Sequence, residues 1–155
     1  MKRLIAFALL TGALAGCQGA SDGHPMGLAE ANSQTAGGLT ATIQMPTRFY
    51  SVGDAFSVVV TIVNSSQQAQ LIGPSTGAAV YVKVMRWVPQ GWVEVKRYSS
   101  AASKPWTLSP GSSRSFPIPL HVESDWPTDE PLRITAEING RPDLAPGIVV
   151  QVQTR

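Results

Sequence analysis

Cys17 is the residue of this chain whose surroundings point most directly to chemistry. It is the only cysteine, and it follows Leu14-Ala15-Gly16 at the end of an apolar run that starts at Leu4, directly after Lys2-Arg3. A basic end, a short apolar stretch and small residues before a cleavage point are the ordered parts of an export signal. Residues 4–15 would make about 18 Å of helix, too short for a hydrocarbon core of about 30 Å. The pattern therefore predicts a leader that is removed directly before Cys17.

The segment Leu14-Ala15-Gly16-Cys17 resembles the lipobox of bacterial lipoproteins. The resemblance implies that the Cys17 thiol receives a diacylglycerol and that the new amino terminus is acylated once the signal peptide has been removed. It also implies the membrane as a partner, reached through the lipidated Cys17. Gln18 stands where an Asp would resemble the inner-membrane retention signal of enteric bacteria, so we expect the periplasmic side of the outer membrane in a Gram-negative host. The alternative is an ordinary secretory signal with a leftover thiol.

Composition divides the chain into three segments. Residues 1–16 are the expected lipoprotein signal peptide, residues 17–38 are expected to form the acylated cysteine and a flexible linker, and residues 39–155 carry the apolar runs of one folded domain. The domain has no cysteine, so no disulfide supports it. Of the 12 basic and 10 acidic residues, loss of Lys2 and Arg3 would leave equal numbers, and this balance gives no nucleic-acid footprint.

His121, Glu123 and Asp125 are the set whose spacing could hold a metal ion. If the strand continued through them, alternation would place all three side chains on one side, and nitrogen and oxygen ligands bind divalent metals. The interpretation that we favour is a strand that runs into an acidic loop with solvated carboxylates. His121 is also the only histidine inside the domain, and no serine lies in a nucleophile elbow. We therefore expect no metal, no cofactor and no enzymatic activity.

Charged and aromatic residues concentrate in one part of the domain. Residues 79–104 contain five basic residues against the single acid Glu94, whereas residues 121–130 contain four acids and no base. The usual explanation is a solvated surface; the alternative is an interface with an acidic protein surface or anionic lipid. A further alternative is a glycan platform built from the tryptophans. The candidate interaction residues are Lys83, Arg86, Trp87, Trp92, Lys96 and Arg97.

Short apolar runs separated by Gly, Pro, Asn and Ser fill the chain beyond Gly38, and no segment of ten or more residues holds a helical period. This pattern predicts an all-β domain, a sandwich of seven or eight strands. Rows of apolar residues at period-two spacing predict its core. The candidate strands are 39–45, 55–64, 69–72, 79–88, 92–98, 113–120, 132–139 and 147–153. The candidate core rows are Phe56, Val58, Val60 and Ile62; Val80, Val82 and Val84; Leu132, Ile134, Ala136 and Ile138; and Ile148, Val150 and Val152.

Local sequence also predicts one hairpin and one strand at a sheet edge. In Val88-Pro89-Gln90-Gly91, proline fixes φ at the second turn position and glycine accepts a positive φ at the fourth. Trp87 and Trp92 flank this turn, so we expect them to pair across the two strands. Pro117 and Pro119 remove two backbone donors from another candidate strand, which places it at a sheet edge or a strand switch.

Between residues 50 and 140 the domain resembles an immunoglobulin-like sandwich and, more narrowly, the BsuPI-type intracellular proteinase-inhibitor domain. The resemblance rests on an apolar strand ending in Asn64-Ser65-Ser66, on Gly91-Trp92 after its turn, and on Leu108-Ser109-Pro110-Gly111 before a further strand. An export signal sets this chain apart from an intracellular inhibitor. We expect a membrane-anchored envelope lipoprotein that presents the sandwich to an envelope protein as an interaction or accessory subunit. Binding of a glycan or small ligand is the alternative, followed by a proteinase-inhibitor-like role.

Overall fold

The computed structural model describes residues 30–73, 77–101 and 104–154, and the expected signal peptide and Cys17 lie outside this part of the chain. The expectation of an all-β sandwich is confirmed, with eleven strands in the described residues instead of seven or eight. No helix long and apolar enough to cross a membrane occurs among these residues. The strands are β1 (Glu30–Ala36), β2 (Leu39–Met45), β3 (Phe49–Ser51), β4 (Ala55–Asn64), β5 (Gln70–Ile72), β6 (Val80–Val88), β7 (Gly91–Ser99), β8 (Trp106–Leu108), β9 (Ser113–His121), β10 (Leu132–Ile138) and β11 (Gly147–Gln153).

Two main sheets build the sandwich. The four-stranded sheet has the order β1-β2-β4-β9, and the five-stranded sheet has the order β3-β11-β10-β6-β7. Neighbouring strands are antiparallel except β3 and β11, which run parallel. Strands β5 and β8 form a separate two-stranded sheet. In this architecture each strand turns alternate side chains to the core and leaves the others on an outer face.

The predicted core rows on β4, β6, β10 and β11 belong to one hydrophobic cluster that both main sheets share. All of these side chains are buried except Phe56, which is partly buried and stacks on Tyr50 with ring centroids 4.0 Å apart. The prediction of the core from period-two spacing is therefore confirmed. Because side chains alternate along a strand, the same rows decide which residues lie on the outer faces.

Strand β1 shows that the linker is shorter than the sequence predicts. Residues 30–36 were expected within the linker of residues 17–38, but they pair along their whole length with β2. The turn between the two strands is Gly37-Gly38, with φ values of 55° and 77°. Positive φ at both central residues is typical of the type I′ turn, which joins strands of natural twist with only two residues. The folded domain therefore begins by residue 30.

Polar contacts hold β1 against the rest of the domain. Its side chains are exposed or half-buried, and it contributes no apolar row to the core. The carboxylate of Glu30 lies 2.7 Å from the guanidinium of Arg48, and Oε1 of Gln34 accepts a hydrogen bond of 2.8 Å from the backbone N–H of Ala145. A strand of this kind shows no alternation of apolar and polar residues, which is why its composition looked like that of a linker.

The hairpin between β6 and β7 forms as predicted. Val88 pairs with Gly91, whose φ is 121°, and Trp87 lies directly opposite Trp92. A register shift then occurs beside Val84 and Met85, so that one extra residue of β7, Val95, has no partner on β6. This bulge reverses the alternation of the remaining β7 residues relative to an uninterrupted strand.

Strand β9 lies at an edge of the four-stranded sheet, as its prolines predict. It pairs only with β4, where Pro117 is opposite Val59 and Pro119 is opposite Ser57. Proline has no N–H, and an edge strand needs backbone donors only on the side that faces its one neighbour. Both prolines are exposed at this edge.

Candidate functional site

Four of the six candidate interaction residues lie together on the outer face of the five-stranded sheet. Val82 and Val84 are fully buried, so the odd-numbered residues of β6 point away from the core. Residues directly opposite them on β7 share that outer face. The four candidate residues on this surface are Lys83, Trp87, Trp92 and Arg97. We call the outer surface formed by β10, β6 and β7 the tryptophan face.

Trp87 and Trp92 form an aromatic pair at the hairpin end of this surface. Their ring centroids are 5.4 Å apart and their planes meet at 72°, an edge-to-face arrangement. Such pairs are favoured because the positive edge of one ring meets the negative face of the other. Trp87 is 56% exposed, although large aromatic side chains are usually buried. The pairing predicted from the hairpin is therefore confirmed, and it leaves an aromatic surface in contact with solvent.

Ion pairs neutralise the two candidate cations of the tryptophan face. The ammonium of Lys83 pairs with Glu137 and lies 3.6 Å from the carboxylate of Glu94. Arg97 binds Glu94 through two hydrogen bonds of 2.8 Å, from Nε and Nη2. These bonds to Arg97, with the nearby Lys83 charge, lower the pKa of Glu94 below its ordinary value. These two cations are therefore paired with acids on the same face, a pairing that the local sequence does not reveal.

Lys96 and Arg86 lie away from the tryptophan face. Lys96 is opposite the buried Val84, because the bulge at Val95 shifts the register of β7. Its ammonium binds the carboxylates of two residues that follow β9, Glu123 at 2.6 Å and Asp125 at 3.4 Å. The hydrogen bond with Glu123 is the main cause of a raised Lys96 pKa. The basic hairpin and the acidic loop thus contact each other within one molecule.

The set His121, Glu123 and Asp125 does not assemble as metal ligands. Strand β9 ends at His121, so the three residues are not part of one continuous strand. The backbone carbonyl of His121 accepts a hydrogen bond from the Tyr98 hydroxyl at 3.1 Å, while Lys96 takes the two carboxylates. No group of three or more His, Cys, Asp or Glu side chains that could hold a metal ion occurs within the described residues.

Two further residues of the tryptophan face were not singled out from the sequence. Arg133 on β10 lies directly opposite Met85 on β6. The carbon atom of its guanidinium is 6.0 Å from the centroid of the Trp92 ring, within the range of a cation–π contact. Arg133, Met85 and Trp92 line part of a shallow depression of about 250 Å³. Alternation on β10 predicts that Arg133 faces outward, but only the order of the strands shows that it meets Trp92.

The other two tryptophans are not available for a glycan platform with this pair. Trp126 is buried in the core and lies near Tyr98, with ring centroids 6.3 Å apart. Trp106 is partly buried, packs against Phe116 and is covered by the guanidinium of Arg114, 4.8 Å from the ring centroid. An exposed platform of four tryptophans does not form.

No family model and no curated protein matches the chain. Among solved structures, it is similar to the sporulation control protein Spo0M from Bacillus subtilis, with 12% identity, a TM-score of 0.52, and coverage of 77% of this chain and 51% of that chain. It is also similar to the alkylpurine DNA glycosylase AlkC from Pseudomonas fluorescens, with 11% identity, a TM-score of 0.49, and coverage of 81% of this chain and 31% of that chain. A β-glucosidase from Listeria innocua is similar with 16% identity, a TM-score of 0.45, and coverage of 81% of this chain and 16% of that chain. The chain spans about half the length of Spo0M, and at 12% identity that likeness shows a shared fold alone.

Proposed function

We propose that this protein is a lipid-anchored envelope lipoprotein that presents the tryptophan face of its sandwich to a protein partner. The observation that carries the interaction part of the proposal is the pair formed by the exposed Trp87 and the half-buried Trp92, beside Met85 and Arg133. Aromatic residues, Met and Arg are enriched at protein interfaces, and Trp and Arg supply a large share of the residues that dominate binding energy. Ion pairs inside the molecule remove most of the local net charge, which favours an apolar contact over a purely electrostatic one.

The anchor part of the proposal depends on the lipobox residues that end in Cys17. Burial of acyl chains contributes about 0.8 kcal/mol per methylene, so two or three long chains bind a bilayer without help from a basic patch. Residues 18–29 separate Cys17 from β1, and a chain of this length reaches at most about 45 Å. The proposed partner is therefore itself close to the membrane.

The anchor is tested by the variant Cys17→Ser. We expect loss of labelled-palmitate incorporation and accumulation of the unprocessed precursor in place of the mature protein. A variant that migrates and partitions as the parent protein does would contradict the anchor. Mass spectrometry of the native amino-terminal peptide gives an independent measurement of the lipid.

The interaction is tested by photo-crosslinking in intact cells. A photoreactive phenylalanine analogue replaces Trp87 on the tryptophan face or, as the matched control, Ser113 on the exposed edge of the opposite sheet. We expect defined adducts with an envelope protein from position 87, and loss of these adducts when Trp92 is changed to Ala. Equal adducts from both positions, or recovery of only a free monomer, would contradict the proposal.

Glycan binding is less well supported by the geometry. Sugar rings stack on open aromatic faces, whereas Trp87 and Trp92 meet at 72° and the Arg133 guanidinium lies over the Trp92 ring. The two rings therefore offer no common plane. A saturable quench of tryptophan fluorescence by envelope glycans would favour this second function.

A further inference from the structure

We propose that the tryptophan face recognises an extended peptide segment in which an acidic residue stands two positions from an aliphatic residue, with Arg133 as the carboxylate-binding group. This inference rests on the proposed function, since it names the chemistry of the protein segment that the same face would bind.

Arg133 differs from the other cations of the tryptophan face. Lys83 and Arg97 are bound to Glu137 and Glu94, whereas Arg133 makes no ion pair within the described residues. The guanidinium carries five donors in a planar fork, which matches the two oxygens of a carboxylate. The group is half-buried beside Trp92, where an ionic hydrogen bond is stronger than one in open water. An incoming carboxylate would therefore find an unpaired partner at this point.

The neighbouring strand is shaped to hold the Arg133 side chain in place. A Cβ atom added at Gly147 on β11 would lie 2.6 Å from Nε of Arg133 and 2.7 Å from Oγ1 of Thr135. No side chain larger than hydrogen fits there without displacing the arginine. The side chain is confined by β11 on one side and by Trp92 on the other, so binding a ligand costs less conformational entropy than with a freely rotating arginine.

The distance between the charged and apolar parts of the site fits an extended chain. The Arg133 guanidinium carbon is 6.0 Å from the centre of the Trp92 ring. Side chains at positions i and i+2 of a strand point the same way and are about 6.6–6.8 Å apart. An acidic side chain at one position can reach Arg133 while an aliphatic side chain two positions away enters the depression that Met85 and Trp92 line. The depression of about 250 Å³ beside these residues has room for one such side chain.

The test uses the full-length protein in detergent micelles and fluorescence anisotropy with three labelled octapeptides. The first has the sequence Ser-Glu-Ser-Leu-Ser-Glu-Ser-Leu, the second has Lys in place of Glu, and the third places Glu and Leu next to each other so that they face opposite sides. A galacturonate hexamer competes as a carboxylate source that is not a peptide. The protein variants are Arg133→Gln, Arg133→Lys and, as matched control, Arg86→Gln. Arg86 lies on the other face of the same sheet, so this control removes one positive charge away from the tryptophan face.

We expect saturable binding of the first peptide alone. Arg133→Gln should weaken it about tenfold or more, as loss of a charged hydrogen bond does, with partial recovery in Arg133→Lys and no change in Arg86→Gln. Equal binding of the lysine peptide or the adjacent-residue peptide, displacement by the galacturonate hexamer, or no binding would overturn the inference. If crosslinks from position 87 persist in cells while the peptide fails to bind, this inference falls and the proposed function stands; if those crosslinks are absent, the proposed function itself falls.

Discussion

The side-chain amide of Asn64, at the end of β4, donates a hydrogen bond to the carbonyl oxygen of Leu108 at 2.8 Å. The same amide donates to the carbonyl of Gln68 at 2.7 Å, and Oδ1 accepts from both the N–H and the hydroxyl of Ser66. The backbone carbonyl of Asn64 accepts a further bond from Gly111. Asn64 is the one buried polar side chain in the described part of the chain. It joins the segments Asn64–Ser66 and Leu108–Gly111, which are far apart in sequence.

Replacement of Asn64 by Ala should lower the free energy of unfolding by about 2–4 kcal/mol, because the Leu108 carbonyl and the Ser66 N–H lose the side chain that pairs with them. Urea denaturation followed by tryptophan fluorescence measures this change. The control is Asn32→Ala on the exposed β1 strand, for which we expect about 0.5 kcal/mol or less. Similar losses for the two variants would contradict the role of Asn64.

Gly38→Ala should destabilise the domain more than Gly53→Ala. Both glycines have positive φ, 77° and 94°, so each alanine meets backbone strain of about 1–2 kcal/mol. A Cβ at Gly38 would also lie 2.6 Å from Cβ of Ser66, whereas one at Gly53 would have nothing within 4 Å. The larger fall expected in the urea midpoint of Gly38→Ala therefore reflects this contact. Equal midpoints would argue against the close packing of the β1–β2 turn on Ser66.

The tryptophans should separate into a structural and a surface class on substitution. Trp126 is 3% exposed, so Trp126→Ala should cost about 3–5 kcal/mol through loss of core packing. Trp87→Ala removes mainly the edge-to-face contact with Trp92, and we expect about 1 kcal/mol. Thermal unfolding by circular dichroism compares the two. A large loss of stability in Trp87→Ala would mean that this side chain supports the fold and is not free for binding.

Acid should lower the free energy of unfolding, because protonation of Glu94 breaks its ion pair with Arg97. The hydrogen bonds from Arg97 lower its pKa in the folded state, so the unfolded chain binds a proton first as the pH falls below about 4.5. The contribution of this ion pair is present above that pH and is lost as the pH falls through the lowered folded-state value. Glu94→Gln should flatten this acid limb of the stability curve. The exposed Asp129→Asn serves as control, and an unchanged acid limb in Glu94→Gln would contradict the assignment.

The strands that sequence predicts well are those that alternate apolar and polar residues over several positions. β2, β4 and β11 begin and end as predicted, because rows such as Val58, Val60 and Ile62 mark both the strand and its buried face. β1 escaped prediction because its residues pair through backbone bonds and bury no apolar row; its one local signal is Gly37-Gly38. The three-residue strands β3 and β8 are too short to show any period.

The candidate site divides in the same way between local and distant determinants. The turn at Pro89 and Gly91 fixes the Trp87–Trp92 pair from nearby sequence. The position of Lys96 depends on the bulge at Val95, which no local pattern announces, and its partner Glu123 belongs to the opposite side of the sandwich. Arg133 meets Trp92 only because β10 lies next to β6 in the sheet, a neighbourhood that alternation along one strand does not encode.

The two prolines of β9 oppose aggregation when many copies of the domain lie close together. An open strand edge is a template on which another chain can add its own strand, and repetition of that step leads to aggregation. Pro117 and Pro119 leave this edge without two of the donors that such a chain would need. Many copies held side by side would thus resist joining through β9, and replacing both prolines with threonine would restore the two donors that an added strand needs.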